Sequence, residues 1–197
     1  MLQSKLFYKT TKNKTADIES VSHDLLVRAG FIDQLMAGVY TFLPLGLKVL
    51  KNIENIIRKN MQHSPVNGQE VLMPVLQPKE NWQKTGRWES LDILFKIKGS
   101  GEKEYALGAT HEEVVSSLAK KSIFSYKDLP VSLFQIQTKF RDELRAKSGI
   151  LRTREFLMKD LYSFHSTQED LDKYYEKMIK VYLNIFKECG IGKMTYQ

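Results

Sequence analysis

The feature that most constrains the fold is a pair of long stretches in the middle of the chain that alternate apolar and polar residues. The first covers residues 132–144 and the second covers residues 152–164, and the segment between them is rich in Arg, Lys, Ser and Gly. Side chains on a β-strand point alternately to its two faces, so this alternation predicts two strands. Two long strands joined in this way predict an antiparallel hairpin.

Apolar residues at helical spacing predict helices before and after this hairpin. The first helix should bury one apolar face, made of Ile18, Val21, Leu25 and Leu26. The last should bury a face made of Leu171, Tyr175, Met178, Tyr182, Ile185, Phe186 and Cys189. These elements predict an α+β fold with an antiparallel sheet flanked by helices. We expect helices over residues 15–30, 44–62, from 110 and over 167–189, with shorter strands over 38–43, 68–74, 93–97, 104–107 and 193–197.

Composition limits the classes of protein to which the chain can belong. With 197 residues, 42% of them hydrophobic, it can bury one sizeable core and is too apolar for a disordered tail. It has neither a secretory signal nor the roughly 20 apolar residues needed to cross a bilayer, so we expect a cytoplasmic protein with no membrane partner. Its single cysteine, Cys189, is expected to be core and excludes a disulfide within the chain. The net charge of +7 favours polyanions such as ATP or RNA.

The polar faces of the two long strands carry residues that suit a nucleotide. Guanidinium groups bind phosphate oxygens in pairs, an aromatic ring can stack on a base, and a carboxylate can accept from an exocyclic amine. The same pattern also fits a solvent-facing sheet with cross-strand ion pairs, and the residues alone leave both interpretations open. The first strand contributes Gln135, Gln137, Lys139, Arg141 and Glu143 to one face, and the second contributes Arg152, Phe156 and Asp160.

Taken in order, these segments resemble the class II aminoacyl-tRNA synthetases. Residues 44–62 and 68–74 resemble motif 1, the helix and strand that form the dimer interface of that family. Three further stretches, 28–46, 110–113 and 152–160, resemble the prolyl-tRNA synthetases of the bacterial type. Motif 2 of the class is resembled by Phe140-Arg141-Asp142-Glu143, a loop, and then Arg152, Phe156 and Asp160 at intervals of four residues.

The resemblance implies a role for each matched residue of motif 2. Arg141 would be the catalytic residue, holding the α-phosphate of ATP and the carboxylate of proline. Glu143 would read the adenine amino group, Phe156 would stack on the adenine ring, and Arg152 would bind the γ-phosphate. Asp160 closes the motif, and its role is either in the site or in packing of the sheet and loop.

The resemblance also implies that Thr110 and Glu112 bind the secondary ammonium of proline, with His111 as a further candidate. A carboxylate is the chemically sensible partner for a cation in a small apolar pocket. Thr110 followed by Glu113 also fits a capping box for the helix that begins there. The two interpretations are compatible, because Glu113 can cap the helix while Glu112 faces the ligand.

Proline activation is the implied activity: a proline–tRNA ligase that uses ATP with Mg²⁺, charges tRNA(Pro) and forms a homodimer through motif 1. No protein metal site is implied. Residues 1–197 are expected to be the N-terminal part of the catalytic domain, without motif 3, the editing insertion or the anticodon-binding domain, and inactive alone. Two alternatives are another class II synthetase, such as threonyl or seryl, and a non-catalytic module that binds RNA or protein. The loop at residues 110–113 argues against the first of these.

Overall fold

The computed structural model describes residues 2–13, 18 and 20–191. The predicted strand at residues 193–197 and the predicted helix start at Thr15 lie outside the described residues. The described helices and strands follow one another as α1 (Val21–Arg28), β1 (Ile32–Met36), β2 (Val39–Phe42), α2 (Pro44–Gln62), β3 (Gln69–Glu70), β4 (Leu76–Pro78), α3 (Lys79–Lys84), α4 (Arg87–Ser90), β5 (Lys96–Lys98), β6 (Glu104–Leu107), α5 (Glu112–Ser122), β7 (Val131–Phe140), β8 (Glu155–Phe164) and α6 (Gln168–Glu188).

The strands form three small sheets. Strands β1 and β2 pair antiparallel, and β4, β6 and β5 form an antiparallel sheet in that order. The third sheet has the order β3-β7-β8, and its short first strand runs parallel to β7. The α+β class is therefore confirmed, with one parallel pair in addition to the antiparallel ones. No helix within the described part of the chain is long and apolar enough to cross a membrane.

The chain divides into two compact units. Unit 1 comprises residues 1–51, 75–109 and 138–156, and unit 2 comprises residues 52–74, 110–137 and 157–197. Each unit has its own buried apolar cluster, as burial of apolar surface requires. In unit 1 this cluster consists of Trp82, Trp88, Leu94, Ala106 and Ala109. In unit 2 it consists of Met61, Val66, Phe134, Met178, Val181 and Ile185.

Helices α2 and α6 are close to the predicted ones. Helix α6 begins where Thr167 accepts a hydrogen bond from the backbone N–H of Asp170 (3.2 Å), which satisfies one donor of its first turn. Cys189 is half-buried against the unit 2 cluster, as expected. The buried face of α6 was predicted in part. Met178 and Ile185 are buried as expected, whereas Tyr175, Tyr182 and Phe186 are exposed. A second apolar stripe on this helix made the choice ambiguous from spacing alone.

Helix α1 differs from its prediction in both length and orientation. It begins at Val21, and both Val21 and Leu25 are exposed. The buried side chains are His23 and Asp24 instead. His23 packs edge-on against the ring of Tyr40, with ring centroids 5.4 Å apart. The buried face of α1 thus carries an aromatic contact, which a count of apolar residues does not detect.

The short strands were predicted least well. Strand β1 was missed, because only its first residue, Ile32, is buried and its pairing with β2 is what makes it a strand. The strand predicted at 68–74 shrinks to two residues. Beyond it, the backbone of Met73 is bound by side chains: its N–H donates to Gln135 (3.0 Å) and its carbonyl accepts from Gln137 (3.0 Å).

Candidate functional site

In unit 1 the segment between β7 and β8 folds back on itself. The N–H of Arg141 donates to the carbonyl of Arg154 (2.8 Å), and residues 147 and 152 form an antiparallel bridge. The turn between them passes through Ser148 and Gly149, both with positive φ (57° and 64°). A side chain at Gly149 would begin 2.8 Å from Cβ of His23, so only glycine fits this approach. The predicted hairpin is therefore present, and its loop packs on α1.

Arg141 and Phe156 meet within this segment. The guanidinium carbon of Arg141 lies 5.3 Å from the centroid of the Phe156 ring, within the range of a cation–π contact. The Nε atom of Arg141 is buried and has no hydrogen-bond partner in the part of the chain that the structure describes. A buried guanidinium donor without an acceptor is costly, and an anionic oxygen would satisfy it.

Glu143 and Arg152 form an ion pair. Two guanidinium nitrogens of Arg152 donate to one carboxylate oxygen of Glu143, at 2.6 and 2.9 Å. The side chain of Glu143 is only 12% exposed, whereas that of Arg152 is 58% exposed. Because one partner is largely in water, the pair contributes about 0–1 kcal/mol and can exchange partners readily.

In unit 2 the start of α5 is held by a chain of hydrogen bonds. The N–H of His111 donates to the hydroxyl of Tyr162 (3.3 Å), which donates to Asp160 (2.7 Å). The same carboxylate oxygen accepts from the amide of Gln135 (2.9 Å). The ring nitrogen Nε2 of His111 lies 3.2 Å from the carbonyl of Pro74, which fixes the ring in a fully buried position.

Burial, and then the charge of Asp160, raises the pKa of the Tyr162 hydroxyl well above its ordinary value. Glu112 adds to this shift, so its charge acts at the same hydroxyl. Tyr162 therefore stays protonated and serves as a fixed donor to Asp160. This arrangement supports the packing role for Asp160, because its carboxylate accepts from two side chains of the protein.

The predicted capping box is wrong. The N-cap residue of α5 is His111, so Thr110 lies one position too early to cap the helix. The buried ring of His111 contacts the carbonyl of Pro74 at this helix start. Glu112 is exposed at the first turn of α5, and Glu113 is buried. A carboxylate at a helix N-terminus is stabilised there by the helix dipole.

The predicted site residues thus fall into two groups. Those assigned to ATP lie in unit 1, and the proline-binding candidates Thr110, His111 and Glu112 lie in unit 2 together with Asp160. Two residues were missed, Tyr162 and Arg154. Tyr162 lies two residues after Asp160 and therefore on the same face of β8, so extending the predicted polar face of that strand by one position would have included it. Within residues 2–13, 18 and 20–191, no three His, Cys, Asp or Glu side chains cluster in a way that could hold a metal.

Comparison with known protein families identifies the class to which this protein belongs. Residues 95–196 match the family described as the tRNA synthetase class II core domain (G, H, P, S and T), and the chain belongs to this family. Among individual proteins, it is 53% identical to the proline–tRNA ligase of Bacillus cytotoxicus over 193 residues, which is 98% of the chain. It is 52% identical to the proline–tRNA ligase of Bacillus cereus strain G9842 over the same length.

A solved structure gives the same assignment. The chain is similar to a structure described as Giardia lamblia prolyl-tRNA synthetase in complex with prolyl-adenylate, with a TM-score of 0.76 and 25% identity. The match covers 83% of this chain and 34% of the other. The chain likewise spans about a third of the length of the curated relatives, 34% in both cases. The predicted resemblance to prolyl-tRNA synthetases is confirmed.

Proposed function

We propose that the chain carries the ATP-binding and proline-binding parts of a proline–tRNA ligase. The observation that carries this proposal is the 53% identity to such a ligase across 98% of the chain. The similar Giardia lamblia structure is a complex with prolyl-adenylate, a molecule that joins the two ligands we assign. Unit 1 supplies the nucleotide residues and unit 2 supplies the amino acid residues.

On the nucleotide side, Arg141 is the catalytic residue. Its buried, unsatisfied Nε and its position beside Phe156 suit an oxygen of the α-phosphate, with the adenine ring stacked on Phe156. Glu143 reads the adenine amino group and Arg152 binds the γ-phosphate, so ATP replaces the ion pair that these two residues form. Mg²⁺ enters as the counterion of ATP, as part of the substrate.

On the amino acid side, Thr110 and Glu112 bind the secondary ammonium of proline. Glu112 is exposed at the first turn of α5, and the hydrogen-bond chain through Tyr162 fixes the backbone just before it. Proline is small and apolar, and each methylene adds only about 1–3 kcal/mol of discrimination. A fixed carboxylate aimed at the ammonium therefore supplies much of the selectivity.

The reaction needs positioning and charge stabilisation. A carboxylate oxygen of proline attacks the α-phosphorus of ATP, the bond to the bridging oxygen breaks, and pyrophosphate leaves. The prolyl group then passes to the terminal ribose of tRNA(Pro), releasing AMP. Arg141 stabilises the charge that builds on the α-phosphate. No covalent bond to the protein forms.

We propose in addition that the protein is cytoplasmic and dimerises through motif 1. Several apolar side chains on α2 are exposed, as expected of a helix that packs against a second copy: Leu45, Leu47, Val49 and Ile53. Sedimentation of the chain tests this assembly. A monomer at tens of micromolar would contradict it.

The activity is testable in a chimera in which this chain replaces the matching third of the Bacillus cytotoxicus ligase. Proline-dependent exchange of pyrophosphate into ATP is the expected result. Exchange that depends on threonine or serine would instead identify another class II synthetase. A folded chimera with no exchange for any of the three amino acids would support a non-catalytic binding module.

A further inference from the structure

We propose that Arg154 is a positioning residue that sets the adenine-reading carboxylate of Glu143. This inference rests on the proposed function, because it assigns a support to a residue of that same site. Arg154 lies outside the motif pattern that predicts Arg141, Glu143, Arg152 and Phe156. It was therefore not expected to act at the site.

The contacts of Arg154 connect two separate parts of unit 1. Its Nε donates to the backbone carbonyl of Glu143 (3.0 Å), and its Nη1 donates to the carbonyl of Ala37 in the turn between β1 and β2 (2.8 Å). Its own backbone N–H donates to the carbonyl of Gly38 (2.8 Å), and its carbonyl accepts from the N–H of Arg141 (2.8 Å). One residue thus fixes the backbone at both Arg141 and Glu143 relative to the β1–β2 turn.

The turn that anchors Arg154 permits little adjustment. Gly38 has a φ of +78°, and a side chain there would begin 2.8 Å from Cβ of Ala146 and 3.1 Å from the backbone nitrogen of Arg154. The turn and the loop after β7 are therefore in close contact at a position where only glycine fits. Because this turn has little room to move, the carbonyl of Ala37 holds the guanidinium group of Arg154 in one place.

Glu143 needs such a support because, within the described residues, a single side chain anchors its carboxylate. That anchor is Arg152, whose side chain is 58% exposed. Under the proposed function, Arg152 leaves Glu143 and binds the γ-phosphate of ATP. Once Arg152 has changed partner, the hold of Arg154 on the carbonyl of Glu143 keeps the carboxylate aimed at the adenine amino group. Lysine cannot replace arginine here, because two donors in a fixed fork are needed for two carbonyls.

The test is the preference of the 197-residue chain for ATP over purine riboside triphosphate, which lacks the exocyclic amine. Binding of each nucleotide with Mg²⁺ is measured by calorimetry for the wild type, Arg154→Lys and the matched control Arg145→Lys, an exposed arginine in the same loop. We expect the wild type and Arg145→Lys to prefer ATP about tenfold or more, as for a hydrogen bond to a charged group. Arg154→Lys should reduce this preference to about twofold or less. It should weaken the binding of ATP and leave the binding of purine riboside triphosphate nearly unchanged.

The outcomes separate the two proposals. A wild type without preference for ATP overturns the assignment of Glu143 to the adenine, and this inference falls with it. A preference that Arg154→Lys retains overturns this inference alone. Equal weakening of both nucleotides by Arg154→Lys also overturns it, because a general structural role has that effect.

A second measurement needs no nucleotide and guards against loss of stability. Backbone amide resonances are compared for the ligand-free wild type, Arg154→Lys and Arg145→Lys, well below their melting temperatures. We expect Arg154→Lys to shift the amides of Arg141 and Glu143 while those of α6 stay in place. Unchanged amides at these two residues would contradict the positioning role, and shifts throughout the chain would show a general defect instead.

Discussion

In unit 1 the candidate nucleotide residues include an ion pair whose arginine is mostly in water, whereas in unit 2 the candidate amino acid loop is held by a chain of hydrogen bonds that ends on the fully buried Gln135 and His111. The Glu143–Arg152 pair has one partner mostly in water. The Gln135–Asp160–Tyr162 chain carries one carboxylate, which accepts two hydrogen bonds. The first arrangement can exchange partners, and the second cannot do so without leaving a buried group unsatisfied.

This difference matches the two proposed ligands. ATP brings several charges and a broad aromatic ring, so on the proposed assignments it can displace an ion pair with one exposed partner and supply new partners for both residues. Proline brings few polar atoms, so its loop must already be in place before binding. Mutations in unit 1 should therefore act mainly on nucleotide kinetics. Those in unit 2 should affect stability as well as use of the amino acid.

The largest effect is expected for Arg141→Ala in the chimeric ligase. This change removes the cation that stabilises charge on the reacting phosphate, and such contacts are commonly worth about 100-fold or more in rate. Proline-dependent pyrophosphate exchange measures it. Exchange near the wild-type rate in Arg141→Ala would refute its catalytic assignment.

Phe156→Leu sharpens the comparison, because it removes stacking only and should chiefly raise the KM for ATP.

The next effect is expected for Glu112→Gln, which keeps the size of the side chain and removes its charge. The ammonium of proline is then poorly paired, so we expect the KM for proline to rise about tenfold to 100-fold with little change for ATP. The matched control is Glu113→Gln, one position along the same helix turn. Because Glu113 is buried, this control should lower the melting temperature and leave the KM for proline near its wild-type value.

Exchange kinetics and thermal melting of both glutamate variants distinguish a ligand-binding role from a purely structural one. Equal kinetic effects at the two positions would contradict the assignment of Glu112 to the ammonium. So would a Glu112→Gln variant that loses only stability.

A smaller effect is expected for Tyr162→Phe, which removes the hydroxyl between Asp160 and His111. The loss of a buried hydrogen-bond partner costs about 1–3 kcal/mol of unfolding free energy. The folded-state pKa of Tyr162 is raised, so its contribution is complete below the ordinary tyrosine value of about 10 and declines as the pH rises above it. Denaturant unfolding should show the deficit of Tyr162→Phe near neutral pH and a smaller deficit above about pH 10. A deficit that grows with alkalinity would contradict the protonated-donor role.

The smallest effect on stability is expected for Arg152→Gln. Its ion pair is exposed on the arginine side, so the cost should be about 0–1 kcal/mol, less than for Tyr162→Phe. Denaturant unfolding of both variants under the same conditions makes the comparison. If Arg152→Gln proved the more destabilising, the contrast between an exchangeable pair and a fixed network would be wrong.

Helices and strands with a strong apolar periodicity could be predicted from the sequence. Elements that depend on contacts with distant parts of the chain could not. Helix α2 and the hairpin of β7 and β8 follow from local patterns, whereas β1 exists through its pairing with β2. The motif residues in unit 1 were found because the spacing of motif 2 is local. The start of α5 was predicted within two residues, but the capping box was not confirmed, because the N-cap is His111 and makes no side-chain capping bond. Arg154 was missed because its partners Ala37 and Gly38 lie in another element.

The Glu143–Arg152 pair has a consequence for ligands that resemble only part of ATP. On the proposed assignments, a free phosphate engages Arg152 and strands the carboxylate of Glu143, while a free adenine engages Glu143 and strands the guanidinium. Each fragment must break the pair and can compensate only one of its members. A molecule that carries both groups at the right separation compensates both at once. On these assignments, the closed pair would favour a ligand that carries both groups over either fragment alone.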